Sequence, residues 1–164
     1  MITPKRKHSA TWLALASFIG FIVPAVFSMG LRWERSLFLI PYVAIIGTFL
    51  LVYFRRHPLS LKQLFGHWRL GITGVAAATA LLMWNIIGQP ASAVTEGIQL
   101  VVAIAWIGLI YGAIDGLLLN VMPVLVVKNI WSGQINHSRY ERITQGLFAL
   151  AASIVVTVAY HFGY

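Results

Sequence analysis

The sequence predicts an all-α, polytopic transmembrane helical bundle of five spans, with its N-terminus in the cytoplasm and its C-terminus outside. Three observations predict it. Apolar residues make up 59% of the 164 residues and charged residues only 10%, against roughly 25% charged in an ordinary soluble domain. The apolar residues come in long uncharged runs and not in alternating patterns, and the basic residues cluster where the runs end. A soluble chain of this size keeps too much of its surface in water to hide such a composition, whereas hydrocarbon is itself an apolar solvent.

The five runs, in order, are Thr11 to Leu31, Leu37 to Phe54, Leu70 to Ile87, Gly97 to Val127 and Ile143 to Phe162. About 20 helical residues cross a ~30 Å hydrocarbon core, and four runs fit that length. The fourth is too long for a straight crossing, so it must tilt, protrude or bend, and Pro123 near its end is the natural place to bend. The whole chain, residues 1–164, reads as one transmembrane domain. Lys5 to Lys7 followed by Trp12 to Val23 has the order of a signal peptide. The run nevertheless reaches spanning length and is followed closely by the next, so the segment is expected to stay in place.

Direction follows from Lys and Arg in the connections. Ten of the 12 lie in the N-terminal segment (Lys5, Arg6, Lys7), the second connection (Arg55, Arg56, Lys62, Arg69) and the fourth (Lys128, Arg139, Arg142), and only Arg32 and Arg35 lie on the other side. The alternation places the first side in the cytoplasm of a bacterial-type inner (plasma) membrane. Topology therefore accounts for the net charge of +8, and a nucleic-acid partner is not implied. The expected partners are the bilayer and either further copies of the chain or a larger membrane complex. Within the second connection, residues 58–68 alternate Leu, Phe and Trp with polar residues, which predicts a short interfacial helix with Trp68 and Arg69 as anchors.

Helices in lipid associate through small residues and a few polar contacts. The first span offers Ser17, Gly20, Pro24 and Ser28, the third Gly71, Gly74 and Ala76 to Ala78, and the fifth Gly146, Ala149, Ser153 and Thr157. No internal repeat is visible, so an inverted-repeat transporter within one chain is not supported.

Chemistry has one focus. Asp115 is the single acidic residue inside an apolar run, and a bare carboxylate there costs roughly 2.5–3.5 kcal/mol on insertion scales. It must face other helices or water, or be protonated. Gly112 and Gly116 beside it leave room for a partner, and Asn120 follows. Pro123 frees a backbone carbonyl near Leu119. Counting from the flanks puts Asp115 between the bilayer centre and the inner third. His161 stacks over Thr157 and Ser153 at i, i+4 spacing. The candidate catalytic residues are therefore Asp115 and His161, and the candidate substrate-binding residues are Asn120, Ser153, Thr157 and Tyr160. With no cysteine and no histidine spacing of a zinc site, no metal and no cofactor are expected. Arg139-Tyr140-Glu141-Arg142 reads as a solvated flank in which Glu141 pairs locally.

The order of these features resembles the CAAX-protease and bacteriocin-processing (CPBP) family of intramembrane glutamic proteases. A basic interfacial stretch, Phe54 to Trp68, precedes an acidic residue in a Gly- and Leu-rich helix, and a histidine closes a later span. The resemblance covers about Phe54 to Tyr164. It implies glutamates in EExxxR and histidines in FxxxH and HxxxN/D that activate water for peptide cleavage. Here Asp115 is single, Leu119 stands where the Arg belongs and Thr157 where the Phe belongs. A third motif is missing, so the chain reads as a degenerate, C-terminally short relative. Three functions are open on these residues: a non-catalytic membrane subunit or scaffold, a hydrolase in which Asp115 and His161 share a water, and a small oligomeric proton-linked transporter with Asp115 as relay.

Overall fold

The computed structural model describes residues 4–58, 68–87, 97–131 and 138–164. All the secondary structure among them is helical. Helix α1 runs Pro4–Pro24 and continues as a wider π turn over Ala25–Gly30. Helix α2 is Arg35–Arg56, α3 is Trp68–Ile87 and α5 is Arg139–Phe162. Helix α4 is continuous over Ile98–Trp131, with π segments at Ile104–Tyr111 and Leu117–Val121. Four stretches are long and apolar enough to cross a membrane: His8–Gly30, Leu37–Arg56, Ile98–Trp131 and Arg139–Phe162. Helix α3 forms over the third expected run. Residues 59–67, which hold most of the expected interfacial helix, lie outside the described residues.

The long fourth run does not stop or break at Pro123. That residue is buried within the last α-helical stretch, Met122–Trp131. Proline has no N–H to offer the carbonyl four residues back, and its ring crowds that carbonyl. The π segment just before it absorbs the mismatch, with the Met122 N–H reaching five residues back to the Leu117 carbonyl. The irregularity thus falls one turn upstream of the proline.

Each of four helices buries one stripe. On α1 it is Trp12, Ala16 and Val23; on α2, Phe38, Tyr42, Ile46, Leu50 and Tyr53; on α4, Tyr111, Leu118, Met122 and Val126; on α5, Ala149, Ala152, Val156 and Tyr160. The spacings of three and four are those of one helix face. Helix α1 packs against α5, α4 and α2, and α5 also packs on α4. The outward faces carry Phe18, Ile40, Leu109, Leu147 and other exposed apolar side chains. An apolar exterior of this kind suits lipid and not water.

Small residues matter at two approaches. A β-carbon on Gly20 would sit 3.7 Å from Leu118 and 4.0 Å from Tyr160, so this glycine lies at the junction of α1, α4 and α5. At Gly163 a β-carbon would fall 2.3 Å from the Phe21 carbonyl oxygen, so the end of α5 lies directly on the α1 backbone. The stripe expected on α5 is partly displaced: Ala149 is buried, Ser153 and Thr157 are half-buried, and Gly146 is exposed with open space around it.

Candidate functional site: a carboxylate among tyrosines

The Tyr42 hydroxyl donates a hydrogen bond to Asp115 Oδ1 at 2.5 Å, across 73 residues of sequence. Tyr42 is buried and Asp115 half-buried. The two helices come close here partly because Gly47 of α2 faces Ile114, whose Cδ1 lies 3.8 Å from where a β-carbon would stand. One turn before Asp115 on the same face is Tyr111, whose hydroxyl is hydrogen-bonded to that of Tyr160 on α5. The Tyr42 ring meets both, at centroid distances of 5.5 Å to Tyr111 and 5.9 Å to Tyr160. Tyr164 packs on Tyr160 at 5.6 Å and on Phe38 at 5.3 Å. The Tyr111 and Tyr160 hydroxyls lie within Coulombic reach of Asp115. Three helices therefore converge on one carboxylate, and each brings a phenol.

Depth is set by Tyr42. It lies about seven residues, or ~10 Å, into α2 from Arg35, and helical side chains lean back toward the N-terminus. Asp115 is some sixteen residues, or ~24 Å, from Trp131 at the far end of α4. It belongs to the half of the bundle that holds the α1–α2 turn and the end of α5, away from Arg55, Arg56 and Lys128. Within α4 itself it stands near the middle of Ile98–Trp131.

Of the residues expected to act, Asp115 and Tyr160 enter the cluster. His161 does not: its side chain is exposed, and its ring contact is the edge of Tyr160 at 5.2 Å. Asn120 is exposed, and Ser153 and Thr157 stand half-buried beside the α5 stripe. Gly112 and Gly116 do leave room, but among the described residues no neighbour fills it, since no atom lies within 4 Å of a β-carbon placed on either. The partner comes from the Tyr42 side instead. No group of three or more His, Asp or Glu side chains able to hold a metal occurs among the described residues.

Tyr42 and Tyr111 were missed by sequence reasoning. Tyr111 carried a usable signal, an aromatic hydroxyl at i−4 from the one acid inside an apolar run. So did Tyr160 and Tyr164, which repeat that spacing. Tyr42 gave none, because its pairing is purely long-range.

No family model, curated protein or solved structure matches this chain. The reading of the cluster rests on its own chemistry. A phenol is a neutral donor that can satisfy a carboxylate without adding charge to an apolar interior. Three helical faces closed by hydroxyl–carboxylate and hydroxyl–hydroxyl bonds form a polar knot inside an otherwise apolar seam.

Proposed function

We propose that the chain is a non-catalytic multi-pass membrane subunit or scaffold, a degenerate CPBP-like protein of a bacterial-type cytoplasmic membrane. In this reading α3 is the third of five spans, the N-terminus is cytoplasmic and the C-terminus outside. The ten-to-two division of Lys and Arg supports that direction. The observation that carries the functional reading is the Tyr42–Asp115 bond. The acid is spent on joining helices, with phenols and not a histidine around it. A hydrolase would need a base or second carboxylate within hydrogen-bond or one-water reach of Asp115; the hydrogen bond to it comes instead from the Tyr42 phenol, and the exposed His161 ring sits against Tyr160.

The hydroxyl-lined route from Asp115 through Tyr111 and Tyr160 to the exposed Tyr164 favours one competing reading, a proton-linked carrier with Asp115 as relay. Two measurements on the purified full chain separate them: thermal unfolding with oligomeric state in detergent, and proton flux in proteoliposomes. For a fastener, Asp115→Asn retains an acceptor for Tyr42 and keeps assembly. Tyr42→Phe then loses about 1 kcal/mol, as typical for an interhelical hydrogen bond, and Asp115→Leu loses more by leaving the buried Tyr42 hydroxyl without its acceptor. Wild-type proton flux that Asp115→Asn abolishes, with assembly unchanged, would give the site to the carrier.

A further inference from the structure

The opposite end of the bundle carries a second cluster that the fastener does not use. Trp12 of α1 and Tyr53 of α2 meet edge to face at 5.4 Å, and His57 stacks on Tyr53 at 4.8 Å, with rings 21° apart. The Arg56 guanidinium lies over the Trp12 ring, 5.7 Å from its centroid. Arg55 and Arg56 close α2, and both are exposed.

What these groups leave unspent is informative. A ring holds the Arg56 guanidinium by its π-face, a contact that uses none of the five N–H donors. Among the described residues neither arginine has a carboxylate partner. His57 Nδ1 lies 3.2 Å from the Tyr53 carbonyl, which also accepts the His57 backbone N–H at 2.9 Å. A carbonyl can only accept, so Nδ1 donates to it and the His57 ring is held against Tyr53. The Tyr53 hydroxyl is buried, with the Asn129 side chain of α4 close to it. Below the arginines, α2 and α1 expose Leu51, Val52 and Leu15. A positioned cationic fork thus stands above an apolar wall, at the depth where tryptophan settles in a bilayer.

We propose that Arg56, seated on Trp12 and assisted by Arg55, is a site for the phosphodiester of an anionic phospholipid in the leaflet at this end of the bundle. The guanidinium fork matches two phosphate oxygens, and the exposed leucine and valine faces receive the acyl chains. That wall favours a lipid over free phosphate, for which the cationic chemistry alone would serve.

The test is native mass spectrometry of the full chain in uncharged detergent, titrated with phosphatidylglycerol or phosphatidylcholine of equal chain length. Phosphatidylglycerol should be retained in preference, and Arg56→Gln should weaken it about fivefold, the value of one basic residue near an anionic surface. Arg56→Lys should weaken it in part, because the charge stays but the fork is lost. Arg32→Gln, a charge removed at the other end, should change nothing. Equal retention of the two lipids, equal losses in Arg56→Gln and Arg32→Gln, or an Arg56→Lys variant identical to wild type would each overturn the site. Displacement by millimolar inorganic phosphate would reassign it to the free anion and overturn the lipid reading.

Discussion

At the scale of single residues, the contacts rank the glycines differently from the pattern of small residues. Gly20 stands in the most suggestive small-residue face, yet a methyl group there meets Leu118 and Tyr160 only at ordinary contact distance. Gly163 stands in no such face, and a methyl group there would collide with the Phe21 carbonyl at 2.3 Å. Gly20→Ala should therefore be near neutral in thermal unfolding, whereas Gly163→Ala should cost about 1–3 kcal/mol, as overpacking usually does. Equal effects of the two would show that α1 and α5 are not seated as described. The same contrast governs what was legible in the site. Asp115 announced itself, because a lone acid in an apolar run must have a reason. Its partner did not, since a tyrosine early in α2 looks like any interfacial aromatic until α4 is laid against it.

At the scale of elements, the helices follow the apolar runs, but their ends follow hydrogen bonding. Apolar content starts the fifth run at Ile143, while the helix begins at Arg139. The cause is a capping box. Ser138 Oγ accepts the Glu141 backbone N–H at 3.3 Å, and Glu141 Oε2 accepts the Ser138 N–H at 2.8 Å. The flank is solvated and Glu141 pairs locally, and it does so as a cap, so the first turn is polar and already helical. Ser138→Ala should cost about 1 kcal/mol and speed amide exchange at Arg139 to Arg142. Unchanged exchange there would mean the cap is idle. In α1, too, helix precedes hydrophobicity, from Pro4 and not Thr11. The π segments of α4 were beyond reach of any periodicity count, apart from the strain that Pro123 implies for the turn before it.

At the scale of the whole molecule, composition and run length were enough for an all-helical chain with spanning helices, because hydrocarbon imposes both on every backbone it contains. The mutual placement of those helices was not legible, since in lipid it depends on a few specific contacts and not on a general apolar drive. The five-span topology has a direct check in a chain without cysteine. His8→Cys and Tyr164→Cys, labelled in separate variants with an impermeant maleimide, should react from opposite faces of the membrane, and reaction from one face would sink the five-span count. The Tyr42–Asp115 bond carries a consequence for biogenesis. Its donor is made 73 residues before its acceptor, so when the carboxylate leaves the ribosome the phenol that receives it is already embedded. In the five-span reading, a helix that bears a group costing roughly 2.5–3.5 kcal/mol to insert alone would then enter beside a waiting ligand.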